Sequence, residues 1–212
     1  MQSILPSKES IEQLPLFQNL DAQHIFILQT LEQCYSHQKE LSQATLLGFD
    51  TESKPTFIKG ETQTGPHLIQ LATLERAYLF MVNEDTLQFL RPILMNHEQI
   101  KVGFGLKNDA RLFQKYHIDL HNMLDLAKCF TSFGINTPVG LKNALALLFQ
   151  VHFKKSKKIS TSNWSNKNLS LQQIEYAAAD AYAPVLIFEE LNRLGRLPIS
   201  ISQTNSKLRS RK

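Results

Sequence analysis

The chain has 212 residues, of which 42% are hydrophobic and 20% charged, a composition typical of one globular domain with a sizeable core. Its longest uncharged apolar stretch, around residues 144–153, is too short to span a bilayer, and Lys8 and Glu9 stand where a signal peptide needs an apolar run. Cys34 and Cys129 have no metal-ligand spacing and are expected to be reduced thiols. These features favour a cytoplasmic protein, with association with the nucleoid, or a nuclear location in a eukaryote, as variants of that expectation.

The net charge of +4 arises at the C-terminus. Residues 199–212 contain four of the 23 basic residues and none of the 19 acidic ones, so the rest of the chain is formally neutral. This Ser- and Asn-rich segment is predicted to be a disordered basic tail that offers a weak electrostatic arm to nucleic acid. The rest, 1–198, is predicted to be a single domain that begins with an N-terminal arm at 1–21.

Hydrophobic patterns and turn residues predict, after the arm, an edge strand, a helix and then three strands in a meander. The expected ranges are 24–28, 31–41, 44–52, 67–73 and 77–82. Helices and strands then alternate, with helices expected at 86–95, 107–116 and 141–149 and a strand at 100–104. Residues 123–126 are expected to form a short strand or a strand-to-helix corner. A meander followed by alternation indicates a mixed α/β sheet with helices on both faces.

The last helix has the clearest boundaries. Ser170 and Gln173 form a capping box at its start, and Gly195 and Pro198 follow its end. Pro184 cannot donate a hydrogen bond to residue 180, so the helix is expected to kink or loosen there. The inward stripe is predicted to contain Leu171, Ile174, Ala178, Ala181, Val185 and Phe188.

Two carboxylates, Asp50 and Glu52, lie near the end of the strand at 44–52. Side chains on a strand alternate between its faces, so these two project on the same side, about 7 Å apart along the backbone. An apolar strand has no packing use for two like charges unless water or a cation is present. The pair therefore indicates either a solvated strand end or a cation site.

Three further candidates lie far downstream. Asp109 follows a Gly-containing strand at the start of a helix, a position that the helix dipole also favours for an acid without any further role. Tyr176 and Asp180 are four residues apart and so share one face of the last helix. Taken alone, Tyr176 is equally explained as a core tyrosine with a hydrogen-bonded hydroxyl.

The order and spacing of these residues resemble the DEDD superfamily of 3′-to-5′ exonucleases. The tyrosine four positions before the final aspartate resembles the DEDDy branch, because the histidine branch would need His at the position of Glu175. Two segments, Ser162–Ser165 and Tyr176–Ala183, are similar to Werner-type exonuclease domains within the ribonuclease D-like superfamily. The resemblance covers about residues 22–195.

This resemblance implies a ribonuclease H-like α/β fold, with a five-stranded mixed sheet, its first three strands antiparallel, and helices on both faces. It also implies two divalent metal ions, Mg²⁺ or Mn²⁺, which would neutralise crowded carboxylates and suit oxygen-only ligation. The implied metal ligands are Asp50, Glu52, Asp109 and Asp180. The implied role of Tyr176 is to orient the attacking water, because a phenol with an ordinary pKa of about 10 is a poor base at neutral pH.

The implied activity is two-metal hydrolysis from the 3′ end of a nucleic acid strand, with DNA favoured and nucleoside 5′-monophosphates released. Ribonuclease D-like trimming of RNA is the alternative, although the chain has no room for the helical RNA-binding domains of ribonuclease D. A binding module without catalysis is disfavoured because all four acids and the tyrosine are present. No membrane partner is expected, and the sequence does not indicate an oligomeric state.

A cluster of basic residues precedes Trp164. It consists of Lys154, Lys155, Lys157 and Lys158. These lysines are expected either to contact phosphates near the substrate channel without reading sequence, or to form a solvated loop. Trp164 is expected to plug the core rather than stack on a base.

Overall fold

In the described residues of the computed structural model, 5–56, 62, 64–107 and 109–198, six strands form one mixed sheet. The strands are β1 (Ile25–Leu28), β2 (Leu46–Glu52), β3 (Leu68–Ala72), β4 (Ala77–Met81), β5 (Ile100–Gly103) and β6 (Met123–Asp125). The side chains of Asp109 and Ala110 lie outside the described part, as does the predicted basic tail.

Helices connect these strands and cover the sheet. They are α1 (Lys8–Glu12), α2 (Leu31–Tyr35), α3 (Gln38–Gln43), α4 (Glu84–Leu94), α5 (Asp109–Gln114), α6 (Leu141–Phe149), α7 (Lys157–Ser160) and α8 (Leu171–Arg193). None of the helices in the described ranges combines the length and the apolar character needed to cross a membrane.

The strand order is β1-β4-β3-β2-β5-β6. β2, β3 and β4 form the expected antiparallel meander, whereas β5 and β6 continue from β2 in parallel. The count of six corrects the five strands that the family resemblance implied. The difference is β1, whose apolar residues pair in parallel with β4 along its whole length, as its expected place at the sheet edge allows.

The two faces of the sheet are covered by different helices. Alternation along β3 and β4 directs Ile69, Leu71 and Phe80 to a core shared with α2, α3, α4 and α5. The intervening residues, such as Leu68 and Ala72, face α8. The prediction of a mixed α/β sheet with helices on both faces is confirmed.

The helix expected at 31–41 is divided into α2 and α3. Ser36 ends the first helix and His37 stands at the start of the second with a non-helical backbone conformation. The His37 ring packs 4.4 Å from the ring of Phe26 and 5.1 Å from that of Tyr78. Contacts with the sheet therefore favour a break that helical periodicity alone did not indicate.

The boundaries of α8 agree with the sequence. Ser170 and Gln173 form the predicted capping box, and Gly195, with φ of 64°, provides the left-handed residue that ends the helix. The helix continues through Pro184 without a break. One member of the predicted inward stripe is wrong, because Leu171, in the first turn, is 77% exposed before the helix reaches the sheet.

The N-terminal segment packs along the start of α8. Phe17 donates its backbone N–H to the carbonyl of His152 at 3.0 Å, and His152 donates to the carbonyl of Pro15 at 2.7 Å. The side-chain amide of Asn19 donates to the backbone oxygen of Glu175 at 2.8 Å. The N-terminal segment thus bonds both to His152, which precedes α7, and to Glu175 in α8, and so links these two parts of the chain.

Candidate active site

Three carboxylates from distant parts of the chain meet at the end of β2. Asp50 and Glu52 lie on this strand, as predicted, and Asp180 reaches them from α8. Each contributes an oxygen atom, and these atoms all lie within 4.8 Å of one another. The pair on β2 is therefore part of a cluster rather than a solvated strand end.

Gly48 determines how closely α8 approaches β2. It lies two residues before Asp50 and so on the same face of the strand. A Cβ atom at this position would lie 1.9 Å from the backbone oxygen of Ala181 and 2.8 Å from Cγ2 of Val185. Only glycine fits this contact, which places Asp180 beside the strand carboxylates.

Asp180 is the most deeply buried member of the cluster, with 3% of its surface exposed. Neither of its carboxylate oxygens makes a hydrogen bond to a described residue. Burial raises the pKa of this carboxyl because the charged form loses its water, whereas the ammonium of Lys155, 3.5 Å from Oδ2, opposes that shift. Buried oxygens in this state fit a cation.

The donor set of the cluster is suited to a hard divalent cation. All three side chains offer oxygen, which Mg²⁺ and Mn²⁺ prefer, and among the described residues the cluster includes no nitrogen or sulfur ligand of the kind zinc favours. A cation would also relieve the repulsion among three carboxylates held this close. The cluster could therefore hold a divalent metal ion.

Tyr176 lies one helical turn before Asp180, and its ring is held from the side by Trp164. The two ring centroids are 6.1 Å apart. Trp164 is fully buried and its Nε1 donates a hydrogen bond to the backbone oxygen of Ser160 at 3.2 Å. Trp164 is therefore a core residue, as expected, and its structural effect is to fix the ring of Tyr176.

The hydroxyl of Tyr176 is buried and has no hydrogen-bond partner among the described residues. Burial raises its pKa far above the ordinary value, and the carboxylates of Asp180, Glu52 and Asp50 raise it further. The phenol therefore stays protonated at neutral pH. It can donate or accept a hydrogen bond beside the carboxylates, but it cannot act as a base.

Asp109 is the first residue of α5, and its side chain lies outside the described part of the structure. Its helix follows β5, which runs parallel to β2 as its direct neighbour. The C-terminal ends of parallel strands lie at the same edge of a sheet, and the chain leaves β5 at the edge where Asp50 and Glu52 are found. The assignment of Asp109 to the cluster stays a prediction.

The four lysines of the basic segment, all exposed, do not share one environment. Lys154 and Lys155 precede α7, whereas Lys157 and Lys158 belong to its first turn, so the loop expected at 154–158 is partly helical. Ser156 caps this turn by accepting a hydrogen bond from the backbone of Ile159. Within the described chain, Lys155 is the member of this segment that forms an ion pair.

Two features of the site were not predicted. Gln70 lies opposite Asp50 in the β2–β3 register, fully buried, with no hydrogen bond from its side-chain amide to a described residue. Its signal in the sequence is a single amide within an apolar strand. A cleft of about 480 Å³ beside Tyr176 is lined by Phe17 and Phe153, and it depends on packing of the N-terminal segment that no local pattern reveals.

Known proteins resemble this chain over most of its length. A family model described as a 3′-5′ exonuclease matches residues 25–196. The mouse bifunctional 3′-5′ exonuclease/ATP-dependent helicase WRN is 32% identical over 166 residues, which cover 73% of this chain and 11% of WRN. A 3′-5′ exonuclease of Arabidopsis thaliana is 26% identical over 162 residues, covering 74% of this chain and 56% of the relative. The chain thus spans between about a tenth and just over half of these two relatives.

Solved structures share the fold at lower identity. The Aedes aegypti Nibbler EXO domain has a TM-score of 0.74 at 22% identity, covering 91% of this chain and all of that one. Trypanosoma brucei RNase D in complex with RNA U12 has a TM-score of 0.72 at 17% identity, covering 88% and 70% of the two chains. The family match extends from β1 to the end of α8 and so includes every strand and the three clustered carboxylates. The chain belongs to the 3′-5′ exonuclease family.

Proposed function

We propose that this chain is a divalent-metal-dependent exonuclease of the DEDDy type, which removes nucleotides from a 3′ end and releases nucleoside 5′-monophosphates. The observation that carries the proposal is the meeting of Asp50, Glu52 and Asp180 within 4.8 Å, one helical turn from Tyr176. Membership of the 3′-5′ exonuclease family supports the direction of degradation.

The carboxylates would bind the metal ions. Asp50, Glu52 and Asp180 would hold two Mg²⁺ or Mn²⁺ ions, with Asp109 as a fourth ligand from the start of α5. When bound, the cations would activate the attacking water and stabilise charge on the leaving 3′ oxygen. The chain itself keeps the ligands at a fixed spacing, because Gly48 holds α8 against β2.

Tyr176 would position the attacking water through its protonated hydroxyl. Tyr176→Phe keeps the ring packed against Trp164 and removes the hydroxyl, so we expect turnover to fall by roughly 10- to 1,000-fold, the effect of losing one positioned hydrogen bond in a transition state. Metal affinity should not change. Both are measured on the purified variant, with Tyr182→Phe on the same helix as the control. Unchanged turnover would reduce Tyr176 to a packing residue, and lost metal affinity would make it a ligand.

DNA is the substrate we propose first, because WRN, at 32% identity, is named as an exonuclease joined to a helicase. RNA is the second candidate, because the Trypanosoma brucei RNase D of similar fold was solved with RNA. Matched DNA and RNA strands, single-stranded or with a recessed 3′ end, distinguish the two. The preferred strand should be the one with the higher kcat/KM.

The basic segment at 154–158 is proposed to bind the phosphates of the strand without reading its sequence. For a single strand, log affinity falls against log salt with a slope of about −0.7 for each phosphate contact. Changing all four lysines to Ala should therefore weaken binding for every sequence alike and make this slope shallower by up to about 3. Binding is measured with Ca²⁺ in place of Mg²⁺ to limit digestion. An unchanged slope would show that the segment is a solvated surface that does not contact the strand. Truncation after Pro198 would then test whether the basic tail makes the contact.

The reaction itself is tested with a strand labelled at its 5′ end. Shortening from the 3′ end, with mononucleotides as product, should require Mg²⁺ or Mn²⁺ and should stop when a chelator is added. Adding excess metal after the chelator should restore it. Internal cleavage, or digestion that a chelator does not affect, would contradict the proposal.

A further inference from the structure

Lys155 occupies a place that its neighbours do not share. Its Nζ lies 3.5 Å from Oδ2 of Asp180 and 5.4 Å from the centroid of the Tyr176 ring. In the described part of the chain, the other lysines of the segment at 154–158 form no ion pair. One ammonium therefore reaches the acidic cluster from outside.

The two partners of this ion pair differ in their access to water. The side chain of Asp180 is 2% exposed, whereas that of Lys155 is 52% exposed. An exposed lysine can swing into solvent and recover its full hydration. The buried carboxylate cannot do so, and its oxygens make no hydrogen bond to a described residue. If the pair opens, the charge of Asp180 therefore has to be compensated by another cation or by a proton.

We propose that Lys155 is the counterion of Asp180 in the metal-free protein and is exchanged for a divalent cation when the site is loaded. The inference rests on the proposed function, since it takes Asp180 as a metal ligand. Lys155 then has a role in addition to binding the strand. Its ammonium stabilises the metal-free site and competes with the metal ion for Asp180. The cation affinity of the site is then lower than that of the carboxylates alone.

The exchange follows from simple charge and contact arguments. Three carboxylates lie within 4.8 Å of one another, and the ammonium of Lys155 lies beside one of them, Asp180. A divalent ion offers twice the charge and can contact several carboxylates at once, so it displaces the lysine. After displacement, the ammonium remains on the segment before α7 and becomes available to a phosphate of the strand.

Lys155→Met tests this inference, because it keeps the length of the side chain and removes its charge. Mn²⁺ affinity is measured by calorimetry without nucleic acid, at the same pH for every variant. We expect Mn²⁺ to bind about tenfold more tightly than to the wild type. Lys155→Arg should retain the weaker binding, and Lys158→Met, which removes the same charge from the same segment, should leave affinity unchanged.

Thermal unfolding provides a second, linked measurement. If the tighter binding arises from a destabilised metal-free state, Lys155→Met should lower the Tm in chelator by about 3–6 °C, the shift that corresponds to a tenfold change in affinity for a chain of this size. In saturating Mn²⁺ the Tm should equal that of the wild type. Lys158→Met should show no difference in either condition.

The outcomes separate this inference from the proposed function. Wild-type protein that binds no Mn²⁺ would overturn both the proposed cofactor and the exchange. If the wild type binds Mn²⁺ and Lys155→Met binds it no more tightly, Lys155 is a strand-binding residue like its neighbours, and the exchange is wrong while the exonuclease assignment stands. If the Tm of Lys155→Met stays below that of the wild type in saturating Mn²⁺, the proposed exchange is also wrong.

Discussion

Asp50→Asn is expected to lower turnover by at least about 1,000-fold while leaving the protein folded. A neutral amide is a weaker ligand for a divalent cation than a carboxylate, and losing several kcal/mol of charge stabilisation in the transition state gives a rate effect of this order. The fold should tolerate the change. The backbone N–H of Thr51 donates to Oδ1 of Asp50 at 2.9 Å, and the amide oxygen of Asn can still accept this bond.

The stability of the metal-free variant is the informative control. Three carboxylates within 4.8 Å repel one another, so removing one charge should leave the free energy of unfolding unchanged or raise it. Turnover in Mg²⁺ and in Mn²⁺, and thermal unfolding in chelator, are measured beside Asp119→Asn, which neutralises an exposed acid outside the cluster. If Asp50→Asn turns over at a rate near that of the wild type, Asp50 is not a metal ligand. Collapse of the fold would show that its role is structural.

Gly48→Ala is expected to damage both stability and activity without touching a charged group. The new Cβ would lie 1.9 Å from the backbone oxygen of Ala181, so α8 must move away from β2. Overpacking of this kind typically costs about 1–3 kcal/mol in the free energy of unfolding. Because Asp180 is the residue before Ala181, it moves with the helix. A displacement of about 1 Å from the productive geometry can reduce turnover by about 100-fold.

Gly140→Ala serves as the matched control for Gly48→Ala. A Cβ at Gly140 meets no atom within 4 Å, and this glycine has an ordinary negative φ of −76°. It is the first cap residue of α6, where replacing Gly by Ala should cost no more than about 1 kcal/mol. Denaturant unfolding and turnover are compared for the two variants. Equal effects would mean that the contact between β2 and α8 is not what places Asp180.

Much of the fold follows from local patterns. Strand alternation placed Asp50 and Glu52 on one face, and the capping box at Ser170 set the start of α8. Both signals act within a few residues, through backbone geometry that a short segment carries with it. The family resemblance then linked these carboxylates with Asp180, and the structure brings the three together.

The features that escaped prediction depend on contacts between distant segments. Nothing near Gly48 in sequence indicates the closeness of Ala181, and nothing near Lys155 indicates that it alone of its segment reaches Asp180. The exposure of Leu171 has the same origin, since the stripe on α8 was right in periodicity but the helix begins before it meets the sheet. Periodicity shows which side of an element is apolar, and packing decides where that side is covered.

The position of α8 after the six described strands has a consequence for the order of events during synthesis. Asp50 and Asp180 are separated by 130 positions, and all six strands precede the helix that carries Asp180. Chains fold from the N-terminus as they emerge, so a nascent chain can pair its strands before α8 is made. At that point the sheet face that α8 later covers is still exposed. At that stage the cluster lacks its buried carboxylate. Under the proposed function, hydrolysis would therefore require the docking of α8, and a nascent chain that has not yet docked this helix would be inactive.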